Sequence, residues 1–222
     1  MKAIQSLQNI WHPVKSRLNA AGHWLPPFFL RALLFWEFYG AGVGKLNGEN
    51  WFDSIQQNFP PIFRSLDSNT LWLMAAWGET VFALLLLVGL FTRFAAMSLI
   101  VITAVAVYAV HWPEAYDGLS QLWQGYAISN DGYGNFKLPL IFIVMLLPLV
   151  FSGAGKLSLD YMFTYLAGTG TRPSQQSDFI SKGLGLLVFT LPLMFFFPVL
   201  ALILGLLGIL LILGNGFITP QE

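Results

Sequence analysis

Two glutamates lie inside apolar stretches of this sequence, where a carboxyl group is costly to place. Glu37 lies in FFLRALLFWEFYGAGVGKL and Glu79 in LWLMAAWGETVFALLLLVGLF. A charged side chain at the centre of a membrane-spanning helix costs about 2.5–3.5 kcal/mol on insertion scales, so such residues suggest function by default. A protonatable carboxyl in such a place can exchange protons with a bound ligand or coordinate a cation. The alternative is structural: a protonated glutamate can hydrogen-bond across a helix pair.

Small residues accompany both glutamates. Gly40 and Gly44 follow Glu37 by three and seven positions, which places all three on one helical face. Glu79 has three alanines at spacings of three and four: Ala75, Ala76 and Ala83. Because small residues let a second helix approach closely, both carboxyls are predicted to point into helix seams, at similar depth, and to form a shared site. No lysine or arginine is predicted at that depth, so we expect one or both carboxyls to be protonated.

The composition indicates an all-α integral membrane protein. Hydrophobic residues make up 56% of the 222 residues and charged residues only 10%, against about 25% charged in soluble domains. The formal net charge is zero, which leaves no electrostatic footprint for nucleic acid. The chain has no cysteine, so disulfides and thiolate metal sites are excluded.

Four core spans are predicted by apolar runs close to the roughly 20 residues that cross a bilayer. They are 28–46, 71–91, 94–112 and 136–151. The apolar segment 179–214 would be about 54 Å long as one helix, too long for a core of about 30 Å. Pro192 and Pro198 therefore favour a C-terminal helical hairpin, with one kinked helix as the alternative. Two amphipathic connectors, around WFDSIQQNF and AYDGLSQLW, are predicted to lie in the outer interface.

The chain is thus predicted to have four parts. Residues 1–25 form an amphipathic interfacial helix, 26–163 the bundle, 164–178 a polar linker and 179–222 the hydrophobic hairpin and tail. Apolar side chains of the first part recur at helical spacing: Ile4, Leu7, Trp11, Val14 and Leu18. With a cytoplasmic N-terminus the basic residues divide eight inside to three outside, following the positive-inside rule.

Other side chains offer further chemistry. Lys45 can snorkel to the interface or neutralise an anionic ligand group. His111, at the end of the third span, is a candidate ligand or proton carrier, with an interfacial polar cap as the alternative. Three methionines, Met74, Met97 and Met145, can act as soft ligands for a cuprous ion or simply fill the core.

Several motifs follow one another along the chain: Arg31, GAGVGKL at 40–46, Glu79 followed by LLLLVGLFTRFAA, and GAGKLSLD at 153–160. Together they resemble the DoxX family of small bacterial membrane proteins. The resemblance covers about residues 28–163. It implies a four-helix transmembrane bundle whose chain crosses a bacterial inner membrane several times. It also implies a link to redox, sulfur or metal-stress metabolism, since some relatives are subunits of a thiosulfate:quinone oxidoreductase. The connector HWPEAYDGLSQLWQGYAI is more similar to the group found with copper-responsive peptide operons.

Three functions remain open from these residues. In the first, the chain is a quinone-interacting redox subunit in which Glu37 and Glu79 exchange protons with the ligand and the aromatic side chains of Trp36, Tyr39 and Trp77 wall its slot. In the second, the chain is a small carrier in which the two carboxyls and His111 coordinate a metal ion such as copper or relay protons. In the third, the chain is a scaffold for a partner enzyme. A partner protein or a homo-oligomer is expected in each case, and whether the chain is itself an enzyme stays open.

Overall fold

The computed structural model of this chain describes residues 2–113, 118–128, 134–168 and 179–218, with side chains from residue 11 to residue 214. These residues fold into helices joined by turns and short connectors. The α-helices are α1 (Lys2–Gly22), α2 (Leu25–Asn47), α3 (Ser68–Val88), α4 (Thr92–Ala106), α5 (Leu119–Gln124), α6 (Lys137–Ser152), α7 (Leu159–Leu166), α8 (Phe179–Leu193) and α9 (Pro198–Ile218). A 3-10 helix, Phe52–Asn58, is called the cap helix here, and α4 continues as a π-helical turn, the π segment Val107–His111.

Four helices pack in a ring around the main core. Helix α2 contacts α3 and α6, and α4 contacts the same two helices from the opposite side. The core between them is formed by buried side chains such as Leu34, Leu86, Leu99 and Leu146. One end of the ring, where α3 begins, is covered by the cap helix and is called the cap end. The opposite end, where α3 stops and α4 begins, is called the arginine end.

The sequence marks several of these helix ends. Pro26 and Pro27 lie in the first turn of α2. Backbone N–H groups in this turn have no acceptor within the helix, so proline loses no helical hydrogen bond there. Asp67 precedes α3, and its side chain accepts a hydrogen bond from the Thr70 amide at 3.1 Å. Gly89 ends α3 in the left-handed conformation, with φ of 69°, which glycine adopts without strain. The bundle helices are therefore delimited by local sequence as well as by apolar length.

Two arginines close helix ends at the arginine end. Arg31 is only 1% exposed, and its Nη1 donates to the carbonyl oxygens of Leu86 and Leu87 at 3.1 and 2.9 Å, while its Nη2 donates to the carbonyl of Leu157. Arg93 donates to the carbonyls at the end of α6, those of Val150 and Phe151. The last carbonyls of a helix have no partner within it, and a cation there also complements the helix dipole.

The segment after α6 completes this end of the bundle. Asp160 accepts hydrogen bonds from the backbone amides of Phe91 and Thr92, at 2.8 and 3.0 Å, and so caps the start of α4 from a distant part of the chain. Gly155 has φ of +75°, and a Cβ there would lie 2.8 Å from the carbonyl oxygen of His23. The GAGKLSLD motif is therefore a close-packed structural segment.

The four predicted spans each coincide with a helix of the ring. Among the described residues, α3 and the continuous helix 92–111 are long and apolar enough to cross a membrane, and α6, α8 and part of α9 are shorter apolar helices. The segment after 179 is folded as two helices, α8 and α9, that pack on each other. Helix α1 covers most of 1–25, whereas the side chains of Ile4 and Leu7 and most of the predicted linker, 169–178, lie outside the described residues.

The contact between α2 and α3 gives the first testable prediction. A Cβ on Gly42 would lie 2.7 Å from the Thr80 amide nitrogen and 2.8 Å from the Ala76 carbonyl oxygen, both backbone atoms that cannot move aside alone. We expect Gly42→Ala to lower the free energy of unfolding in detergent by about 1–3 kcal/mol, the usual effect of overpacking.

The matched control is Gly185→Ala in α8, where a Cβ would meet nothing within 4 Å. This change should be neutral or stabilise by up to about 1 kcal/mol, because alanine is the better helix former. Equal effects of the two substitutions in a thermal unfolding experiment would show that α2 and α3 are not in this close contact.

Candidate functional site

An ion pair connects α2 and α3 inside the bundle. Lys45 Nζ lies 2.6 Å from Glu79 Oε2, and their side chains are 19% and 9% exposed. Glu79 stands near the middle of α3, while Lys45 stands in the last turns of α2. Because Cα–Cβ bonds tilt toward the start of a helix, the lysine stem points back from the cap end into the bundle. The ammonium group therefore reaches a depth that its position in the sequence does not suggest.

Close helix packing makes this reach possible. The buried face of α2 carries Arg31, Leu34, Phe38 and Gly42 at spacings of three and four, and Lys45 continues the same face. Gly42 brings the backbone of α2 against α3 beside Ala76 and Thr80. Lys45 lies one turn after Gly42 on α2, toward the cap end, and Glu79 lies within one turn of the Gly42 contact on α3. The close approach of the two helices at Gly42 therefore brings the Lys45 ammonium within reach of Glu79.

A cavity of about 650 Å³ adjoins the ion pair. It lies between α3 and α4 and runs up to the cap helix, and most of its lining is apolar or aromatic. The aromatic lining residues are Trp51, Phe52, Phe59, Phe63, Phe82 and Phe94. Pockets for small organic ligands typically have 300–1,000 Å³, apolar walls and a few placed polar groups, and this cavity has those properties.

His111 lines the cavity as a further polar side chain, in addition to Lys45, Glu79 and Ser98. It ends the π segment, and its Nδ1 is hydrogen-bonded to the side-chain oxygen of Asn135. The backbone amides of Gly134 and Asn135 also donate to the His111 carbonyl oxygen, at 2.8 and 3.2 Å. A π-helical turn alters the direction of the side chains that follow it, and such turns are frequent at functional sites. The bond to Asn135 fixes the ring and leaves Nε2 as the nitrogen for other contacts.

The structure corrects the prediction of a shared carboxylate site. Glu37 is exposed on the outer face of α2, does not line the cavity, and makes no hydrogen bond or ion pair with a described residue. Gly40 and Gly44 are likewise open, with nothing within 4 Å of a Cβ there. The periodicity grouped Glu37 with these glycines correctly, but the glycine in the α2–α3 seam is Gly42. The expected absence of a basic residue near Glu79 is also corrected, since Lys45 pairs with it.

The predicted aromatic walls are corrected in the same way. Trp36 is 75% exposed, Trp77 55% and Tyr39 37%, and none of them lines the cavity. The aromatic walls come instead from the connector between α2 and α3 and from α3 and α4 themselves. The connector supplies Trp51, Phe52, Phe59 and Phe63, α3 supplies Phe82 and α4 supplies Phe94. The amphipathic pattern of WFDSIQQNF was the available signal, and its apolar face packs onto α3 through Trp72 and Leu71. The amphipathic pattern predicted this apolar face but not the helix that it packs against.

The described residues contain no cluster of candidate metal ligands that would support the metal hypothesis. Among the described residues, no three or more His, Asp or Glu side chains are placed to share an ion. Met74 and Met97 line the cavity, whereas Met145 packs against the main core.

The described residues therefore place the chain in a class of protein: an all-helical bundle with membrane-type helices and an ion pair beside a mostly apolar cavity. The DoxX family profile matches residues 27–112, which span α2 to the π segment. An uncharacterized protein of Haemophilus influenzae is 40% identical over 144 residues, which is 65% of this chain and 87% of that protein. The chain belongs to the DoxX family of membrane proteins. No solved structure matches it.

Proposed function

We propose that this chain is a quinone-binding subunit of the bacterial inner membrane, with the quinone ring held in the cavity beside Lys45 and Glu79. In this proposal α2, α3, α4 and α6 cross the membrane, α1 lies on the cytoplasmic surface, and α8 and α9 form an additional hydrophobic hairpin. The cap end then faces the periplasm. The eight-to-three division of basic residues supports this orientation.

The observation that carries the proposal is the largely buried ion pair on the wall of a mostly apolar cavity. A quinone, when bound, accepts electrons together with protons at its carbonyl oxygens. The Lys45 ammonium has three N–H donors, of which Glu79 takes one, so it has donors left for a ligand oxygen. The Glu79 carboxyl can hold a proton close to the same place. Flat aromatic side chains around the cavity suit a flat ring.

The electrons would come from outside the chain. With no cysteine in the sequence, neither a dithiol relay nor a thiolate-held iron–sulfur cluster is available within it. A partner protein or a soluble donor would therefore deliver the electrons to the bundle. Under the scaffold hypothesis, a partner protein binds but the cavity holds no quinone.

Quinone binding to the purified protein tests the proposal. In detergent, a decyl-substituted benzoquinone should quench tryptophan fluorescence, because Trp51 lines the cavity. The double variant Lys45→Met/Glu79→Leu keeps the apolar volume but removes both polar groups, and we expect it to raise the Kd at least about tenfold, or about 1.4 kcal/mol. Mass spectrometry of the organic extract should in parallel find a quinone in the wild type and not in the variant.

The control is Glu37→Gln, a carboxyl removed from the exposed face of α2. Its Kd should stay within about twofold of the wild type, well under the tenfold step of 1.4 kcal/mol. Equal binding by the wild type and the double variant would reject the quinone site, and absence of binding in all three proteins would favour the scaffold hypothesis.

A further inference from the structure

A second candidate site lies on the outer face of α2. Five residues form what is called here the Glu37 face: Leu33, Glu37, Gly40, Ala41 and Gly44. They recur at spacings of three and four, and all five are exposed. Glu37 stands about halfway along α2 and makes no hydrogen bond or ion pair with a described residue. With α2 in the membrane as proposed above, this exposure is to hydrocarbon, where a polar group without a partner is strongly disfavoured.

We propose that the Glu37 face is a dimer interface between two copies of this chain. The proposal rests on the membrane placement of the proposed function and is independent of quinone binding. It is argued from the Glu37 carboxyl at mid-membrane depth, which has no hydrogen-bonding partner among the described residues.

Hydrogen-bond complementarity selects a second copy as that partner. In a two-fold dimer the same residue of each copy can meet at the axis. A protonated carboxyl carries both a donor and an acceptor, so Glu37 can pair with Glu37 of another copy, with both protonated or with one proton shared between them. Any other partner would have to supply a donor at the same depth. Symmetry supplies it here without a further group.

The surface around Glu37 permits the approach that this pairing needs. A Cβ at Gly40 or Gly44 would meet nothing within 4 Å, so packing against the described residues explains neither glycine. The two glycines have the GxxxG spacing, which lets parallel membrane helices pack with their backbones close together. Glu37 lies one turn before Gly40 on the same face, close to such a crossing point.

Disulfide cross-linking tests the interface cleanly, because the natural chain has no cysteine. Ala41→Cys places one thiol on the Glu37 face with little change in size. Val144→Cys is the matched control, since Val144 is 56% exposed on α6, outside that face. Under mild oxidation in native membranes we expect a disulfide-linked dimer for Ala41→Cys and none above background for Val144→Cys. No dimer from Ala41→Cys, or equal dimer from both, would overturn the proposal.

Variants of Glu37 separate specific pairing from chance collision. In the Ala41→Cys background, Glu37→Leu should reduce cross-linking about fivefold, the scale of one interhelical hydrogen bond. Glu37→Gln should retain it, because an amide also both donates and accepts. Cross-linking that is equal with leucine and glutamine at this position would reject the carboxyl pairing. Quinone binding by Glu37→Leu should be unchanged, so the failure of either proposal can be recognised without the other.

Discussion

Replacing Glu79 with leucine while Lys45 remains should destabilise the protein by about 3–5 kcal/mol. The Lys45 ammonium would lose the carboxylate oxygen that lies 2.6 Å away and would remain in the wall of an apolar cavity. Removing one member of a largely buried pair leaves a charge without its partner, and that charge keeps most of its cost of desolvation. Unfolding in a denaturing detergent, followed by circular dichroism, measures the loss.

The double variant Lys45→Met/Glu79→Leu should recover most of that loss. Both charges are then absent, and two apolar side chains of similar length occupy the same space, an exchange that is often neutral or stabilising. We therefore expect the double variant to unfold within about 1 kcal/mol of the wild type, so that the two substitutions are strongly non-additive. Glu49→Leu, the same change at an exposed position, should have little effect. A double variant as unstable as Glu79→Leu would show that the two side chains do not interact.

The comparison of Glu79→Leu with the double variant also indicates why the ion pair is present. A buried ion pair that apolar residues can replace without loss is weak evidence for a role in stability. Residues that a fold does not need for stability are more readily explained by a site that uses them, here the cavity beside the pair. The same double variant therefore separates the two roles: it should unfold normally and bind quinone poorly.

The sequence predicted the architecture better than the site. The all-helical character is confirmed, and each predicted span coincides with a helix, because apolar length and helix-ending residues are local properties. Glu79 lies in a helix seam as predicted, since three alanines marked its face. For Glu37 the spacing identified which residues share a face, but spacing carries no information about which face of α2 meets α3.

The partner of Glu79 was not predictable for a different reason. Lys45 stands near the end of α2, and its distance from Glu79 depends on the helix separation set at Gly42 and on a flexible stem of four methylene groups. The aromatic lining of the cavity depends in turn on how the connector around Phe52 folds back onto α3. Both are tertiary contacts between residues far apart in sequence, and the sequence gives each side chain without its partner.

The contacts of Arg31 are likewise tertiary contacts that the sequence does not predict, and their loss should also strongly lower the free energy of unfolding. Arg31→Ala should lower the free energy of unfolding by about 3–5 kcal/mol or prevent stable folding. The buried carbonyl of Leu86 and the part-buried carbonyls of Leu87 and Leu157 would lose their donor together, and an unsatisfied buried group costs about 1–3 kcal/mol. Arg31→Lys should rescue little. One ammonium cannot reproduce the planar fork that reaches the end of α3 and the segment after α6 at once.

Arg93→Ala is the matched control for the Arg31 prediction. Arg93 also donates to two carbonyls at a helix end, those of Val150 and Phe151, but its side chain is exposed. Water can replace its hydrogen bonds, so we expect a loss of about 0.5–1.5 kcal/mol, the net value of an ordinary hydrogen bond. Because both arginines cap helix C-termini, the difference between the two variants reports the greater burial of Arg31 together with its third carbonyl partner. If thermal unfolding showed equal losses, Arg31 would act through its charge near the helix end rather than through the three carbonyls, and its lysine variant would then be nearly as stable as the wild type.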